Sequence, residues 1–280
     1  MNKSLALSVW IFAAACSVSP LSAFAQQSRY EQFRAHNYQM RSLQPSWIGP
    51  LIQSDARLGQ FVNLSVANQS IPGGHPIVYG NNHGVGFIFD RRFQVAFQPP
   101  SFFRNHSAQS PDGFGNASVM VKARIVSGNA EHGNYIVTAI LNHGFAPRAA
   151  QNGVYSSTWN PTLAAGRAFP RFAVMSNLGG ILPTAKIWSQ GRAIEWNTTV
   201  QVHAPARISF DIENNATYFY GGPSDGQTQN FITPAAIYVV HRPNWGPEHS
   251  GIIFISGMQI ATSRYHQYNH NLITEMLYFF

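Results

Sequence analysis

What most constrains this chain is an alternation of apolar and polar side chains every second residue, interrupted again and again by turn chemistry. Ala117, Val119, Val121, Ala123 and Ile125 alternate with Ser118, Met120, Lys122 and Arg124. Trp196, Thr198, Val200 and Val202 alternate with Asn197, Thr199, Gln201 and His203. Ile208, Phe210 and Ile212 alternate with Arg207, Ser209, Asp211 and Glu213, and Phe93, Val95 and Phe97 with Gln94, Ala96 and Gln98. Successive side chains of a strand point to opposite faces, so each segment has one apolar and one polar face. The breaks are rich in Gly, Pro, Asn and Asp, as in Ile71-Pro72-Gly73-Gly74, Ser110-Pro111-Asp112-Gly113 and Gly221-Gly222-Pro223-Ser224-Asp225-Gly226. Strands are expected near 57–67, 78–89, 93–98, 116–126, 134–143, 160–169, 171–180, 194–203, 206–219, 228–240, 250–262 and 271–280, about twelve in all. After the first residues no apolar run approaches the roughly 20 residues that a spanning helix needs, whereas tilted strands cross with about 9–11. The fold class expected is therefore all-β: an up-and-down antiparallel transmembrane barrel over 57–280, with the even strand number typical of such barrels.

The two ends support export and insertion. Lys3, the apolar stretch Leu5–Ala15 and the Ala23-Phe24-Ala25 site read as a signal peptide over 1–25, cleaved after Ala25. The single Cys of the sequence, Cys16, would leave with it, so no disulfide, thiolate nucleophile or cysteine ligand is expected. Asn271–Phe280 (NLITEMLYFF) alternates up to a final aromatic, with Tyr278 and Phe280 on one side. It resembles the C-terminal signal read by the barrel-insertion machinery. Residues 26–56 do not alternate, and Pro45-Ser46-Trp47-Ile48-Gly49-Pro50 is irregular; they are read as a periplasmic lead-in or a partial lumen plug.

Composition fits a wall with lipid on one face and water on the other. Charged residues are 10%, against roughly 25% in soluble domains. Aromatics reach 13%, and several sit at the ends of the expected strands, as Tyr135, Phe169, Phe172, Trp196 and Tyr218 do. The formal charge of +7 comes from dispersed Arg without a basic run or recognition motif, so no nucleic acid is expected as partner. Lipid and lipopolysaccharide phosphates, or anions in a lumen, suit such residues better.

A family resemblance rests on four stretches. They are Met40-Arg41-Ser42-Leu43-Gln44-Pro45-Ser46-Trp47-Ile48, Gly113-Phe114-Gly115-Asn116 leading into Val121-Lys122-Ala123-Arg124, Gly128-Asn129-Ala130-Glu131-His132-Gly133-Asn134-Tyr135, and Thr228-Gln229-Asn230-Phe231-Ile232-Thr233-Pro234. They resemble the outer-membrane barrel group labelled "meta-pathway of phenol degradation". The resemblance implies a barrel of the cell outer membrane and a channel for small organic molecules. It supplies no catalytic residues. Many members have Asp where Asn116 stands, a departure that weakens any claim that this position binds a cation.

For chemistry the expectation is passive passage of small solutes, aromatic or apolar ones included. Lys122, Arg124, Asn197, Gln201, His203, Arg207, Asp211 and Glu213 are candidate lumen residues, because they hold the polar face of their strands. No catalytic site, metal or cofactor is expected. His266 and His270 share a turn region but match no known ligand spacing, and no nucleophile elbow or phosphate-binding loop occurs. His203, Ser209 and Asp211 could be assembled into a hydrolase site on paper, and Asp211 with Glu213 into a glycosidase pair. Two alternatives stay open: a structural outer-membrane barrel without transport, and a soluble secreted β-sandwich, either a binding module or a carbohydrate enzyme.

Overall fold

The computed structural model describes residues 31–33, 35–80, 82–105, 111–146, 156–204, 207–240 and 251–280. The expected leader, with Ala23 and Ala25, lies outside them. One antiparallel sheet runs through β1 (Phe61–Ser70), β2 (Ile77–Tyr79), β3 (Gly84–Ile88), β4 (Phe93–Gln98) and β5 (Phe102–Arg104). It continues through β6 (Gly113–Phe114), β7 (Ala117–Gly128), β8 (Tyr135–Phe145), β9 (Thr158–Ala168) and β10 (Phe172–Pro183). The last five are β11 (Arg192–His203), β12 (Ile208–Tyr220), β13 (Thr228–Val239), β14 (Gly251–Ala261) and β15 (His270–Phe279).

β1 pairs with β15 from Phe61 opposite Phe279 to Ser70 opposite His270, so the sheet closes on itself. Closure gives every wall strand two partners, which strands in hydrocarbon require because no water is there to satisfy an edge. The two-sheet sandwich is thereby excluded. Three neighbouring strands of the wall are each in two pieces: β2 with β3, β4 with β5, and β6 with β7. The barrel therefore has 12 strands, as the alternation predicts. The three breaks are neighbours: Ser101 Oγ donates to Gly80 O at 2.7 Å and Gly115 N to Ser101 O at 2.8 Å. Pro99 and Pro100 have no N–H for the ladder, which is why the second of these strands cannot run through.

Chain entry and exit, marked by the Phe61 and Phe279 pair, define a near end of the barrel. Connections there span 89–92, 129–134, 169–171, 204–207 and 240–250; those at the far end span 71–76, 105–112, 146–157, 184–191, 221–227 and 262–269. The outer face is an apolar belt in which Leu64, Leu163, Leu178, Trp196, Phe210 and Ile212 are each more than half exposed. Patches this large do not face water in monomeric soluble proteins. Phe93, Tyr135, Phe172, Phe210, Tyr238, Phe254 and Tyr278 ring the belt at the near end, and Phe114, Phe145, Trp159, Trp196 and Tyr218 lie toward the far end. Outward hydroxyls within the belt pair with one another, as Ser176 with Thr198 at 3.2 Å and Ser256 with Thr274 at 3.1 Å.

Two departures from simple alternation appear. First, β1 starts at Phe61 rather than near residue 57. Leu58 N and Gly59 N are bonded inward, to Gln44 Oε1 and Gln94 Oε1, and so are lost to the ladder. Second, β13, β14 and β15 are apolar on both faces. Ile237, Val239, Ile253, Ile255, Ile273 and Leu277 point into the barrel, where Ile48 and Leu51 pack against them. The rule that apolar residues face lipid fails here because another part of the same chain supplies an apolar interior.

Candidate functional site: the lumen and the segment inside it

A helix over 31–33 and 35–41 lies at the near end. The Arg41 guanidinium donates to Gln60 O at 3.2 Å and to Phe280 O at 3.3 Å, so one side chain ties the start of the barrel to its end. Met40 packs with Leu58 and Ile88. From Gln44 the chain runs into the lumen, turns near Leu51–Gln53 and returns to Gln60.

Irregular backbone inside a barrel must find partners, and five wall strands provide them between Ile48 and Ala56. Gln201 on β11 makes a two-way pair with Ile48, accepting from its N at 2.9 Å and donating to its O at 3.0 Å. Glu213 on β12, fully buried, accepts from three successive N–H groups: Leu51 at 2.6 Å, Ile52 at 3.0 Å and Gln53 at 3.1 Å. Asn177 on β10 donates to Ser54 O at 2.8 Å, Thr138 on β8 to Ala56 O at 2.6 Å, and Lys122 on β7 to Asp55 O at 2.7 Å. Within the segment, Asp55 binds Arg57 through both guanidinium NH2 and Nε, at 2.6 and 3.0 Å, and accepts from Trp47 Nε1 at 3.1 Å. Burial alone would raise the Asp55 carboxyl, yet the Arg57 guanidinium, with Lys122 beyond it, holds it below its ordinary value.

Two glycines make room for this segment. A Cβ on Gly166 of β9 would stand 2.7 Å from Trp47 Cη2, and one on Gly257 of β14 would stand 2.8 Å from Leu51 Cδ2. Leucine at 166 must therefore push Trp47 off the wall. Overpacking of this kind costs about 1–3 kcal/mol. Gly166→Leu is expected to make residues 44–60 cleavable by added protease while the barrel keeps its resistance to unfolding; an uncleaved segment would contradict the close packing.

The expected lumen residues divide as follows. Lys122, Gln201 and Glu213 bind the inserted segment directly. Asp211 accepts from Gln201 Nε2 at 2.9 Å and so supports it from behind. Arg124 points inward lower on β7, where its guanidinium bonds to Arg91 O. Asn197 faces inward and accepts from Asn215 Nδ2 at 3.1 Å. His203 sits at the near end of β11 with its Nδ1 at 3.3 Å from Ser209 Oγ. Arg207 lies elsewhere: it occupies the turn before β12 at φ 72°, exposed, with its guanidinium on Val240 O at 3.1 Å. Its period-two placement broke down because β12 begins only at Ile208. His266 makes its contacts inside its own turn, with Ser263 O and Asn269 Oδ1. No group of three or more His, Cys, Asp or Glu suited to a metal ion occurs among the described residues.

The segment leaves space on both sides. A cavity of about 570 Å³ opens toward the far end, floored by Leu51 and Ile52 and walled by Asn, Gln, Ser and Tyr side chains. Among the described residues its lining holds one carboxylate, Glu195, and no Lys or Arg. A second cavity of about 480 Å³ lies beside the segment toward the near end, with Arg41, Arg57 and Lys122 balanced against Asp55, Glu131 and Glu275.

In fold the chain is similar to the NanC porin, with a TM-score of 0.52 and 8% identity over 78% of this chain and 98% of that one. It is also similar to an outer membrane channel from Pseudomonas putida F1, with a TM-score of 0.53 and 12% identity over 84% of this chain and 100% of that one. The fold is that of outer-membrane channel barrels. No family model and no curated protein matches the sequence.

The sequence reading overlooked Gln94, Thr138, Asn177, Asn63 and Glu275 as inward residues. Gln94 stood on the polar face of a recognised strand. Glu275 had a signal of its own, as a lone acid between Ile273 and Leu277 on the face opposite Tyr278.

Proposed function

We propose that this chain is an outer-membrane channel that passes small solutes through a lumen narrowed by its own residues 44–60. The observation that carries this reading is a closed barrel with an apolar outer belt and solvent-sized cavities on both sides of the inserted segment. In that setting the near end faces the periplasm and the far end, with its longer connections, faces outward. Lipid and lipopolysaccharide surround the belt. Tyr278, in the near aromatic ring, and Phe280, stacked on it at 6.1 Å, serve as the insertion signal. The amide-rich lining of the far cavity suits small polar solutes better than apolar ones, since the apolar stretch of wall is already covered by Ile48 and Leu51.

A structural barrel without transport is the second reading, and the firm anchoring of the segment tip on Glu213 favours it. Two measurements decide. Purified protein is expected to change gel mobility on boiling and to pellet with the outer membrane; a soluble fraction without a heat shift would remove the membrane reading. In planar bilayers it is expected to give small discrete conductance steps. Electrically silent, folded protein would leave the structural barrel.

A further inference from the structure

We propose that solutes cross beside the inserted segment, along the wall of β15, β1, β3 and β4, through a neck formed by Asn82 and Gln98. This rests on the channel reading and places its conduit. Among the described residues, two line both cavities, Asn82 and Gln98. Gln98 Nε2 donates to Asn82 Oδ1 at 2.9 Å. Asn63 on β1 bonds to Asn82 O and donates to Glu275 Oε1 at 3.3 Å, while Ser118 on β7 bonds to Gln98 Oε1. The neck is thus a chain of side chains strung across five neighbouring strands.

Asymmetry of the anchoring puts the conduit on this side. The segment from Ile48 to Ala56 bonds to β7, β8, β10, β11 and β12, which fixes its polar backbone against that half of the lumen. Toward β1 and β15 the contacts of Ile48 and Leu51 are apolar, and the space beside them and next to β3 is lined by Asn63, Gly84, Val85, Glu275 and Leu277. The breaks in three successive wall strands fall at the same place, so the wall next to the neck is loop rather than ladder. A neck of amide side chains opens by rotamer changes, whereas the anchored half opens only by giving up buried backbone bonds. Glu275, 3% exposed, closes the chain of side chains below the neck, where it accepts from Asn63 Nδ2. The amide neck suits small neutral solutes that carry hydrogen-bond donors and acceptors.

Cys16 is the only cysteine in the sequence and lies in the expected leader, so Asn82→Cys and Gln98→Cys each give the exported protein a single thiol. The test is bilayer conductance before and after a cationic methanethiosulfonate reagent, with labelling followed by mass. Gln227→Cys, in the exposed far-end turn, is the control. Modification at 82 and at 98 is expected to cut conductance by more than half, and at 227 to leave it unchanged. Full labelling at 82 and 98 without loss of conductance would overturn the neck, as would thiols there that the reagent never reaches. A folded wild-type protein that conducts nothing would overturn the channel reading itself and the neck with it.

Discussion

Glu213→Ala is expected to widen the lumen and raise conductance several-fold while the barrel stays folded. The Glu213 carboxylate gathers the N–H groups of Leu51, Ile52 and Gln53, the three residues that form the tip of the inserted segment. Successive N–H groups that converge in this way form an anion-binding concavity, here filled by the protein's own side chain. A buried donor left without its partner costs about 1–3 kcal/mol. Three donors lose their partner and lumen water recovers part of the loss, so a destabilisation of the tip by roughly 3–5 kcal/mol is expected. The flanks keep their own anchors, Gln201 on Ile48 and Asn177 on Ser54, so the tip loosens without release of the whole segment. Glu213→Gln retains an accepting oxygen in the same place and is expected to fall between wild type and alanine. Single-channel recordings check the order of the three proteins, and gel mobility without boiling confirms that each is a barrel. Equal conductance in all three would mean that the tip does not limit the pore.

Most of the barrel was legible in the sequence, and for a physical reason. Each strand of such a wall separates two solvents, so its side chains must alternate wherever both solvents are present. The strands predicted near 93–98, 134–143, 194–203 and 228–240 lie within a few residues of β4, β8, β11 and β13. Legibility ended where one solvent was replaced by protein. The runs Ala235–Val240 and Ile252–Ile255 do not alternate, because their inward side chains meet Ile48 and Leu51 instead of water. Such a run in a chain that otherwise alternates is itself a signal that something apolar occupies the lumen nearby. The neck was harder to see. Asn82 lies in the irregular backbone between β2 and β3, at φ 70°, and no periodicity points an irregular residue anywhere. Which backbone groups Glu213, Gln201 and Lys122 would take was equally hidden, since residues 44–60 have no repeat that fixes their register against the wall.

Leu163→Arg is expected to cost about 2–4 kcal/mol of folding stability in lipid vesicles, and Leu182→Arg only about 0–1 kcal/mol. Both leucines point outward, with exposures of 51% and 36%. Leu163 stands mid-strand on β9, opposite Ala139 of β8 and Leu178 of β10. Leu182 stands opposite Trp159, at the level of the far aromatic residues. Leu163 is four residue steps from Trp159, or about 13 Å along the strand. The wild-type chain already tolerates an outward arginine at the other edge of the belt. Arg167, also on β9, stacks its guanidinium at 5.3 Å from the Phe169 ring centroid, where it can reach phosphates or water. An arginine at 163 has no such exit, because apolar side chains surround it on both neighbouring strands. Were this face in contact with water, both substitutions would fall within about 0.5 kcal/mol of wild type, as exposed changes ordinarily do. Reversible urea unfolding in vesicles of both variants therefore measures depth in lipid directly, and equal midpoints for the two would sink the membrane placement of the belt.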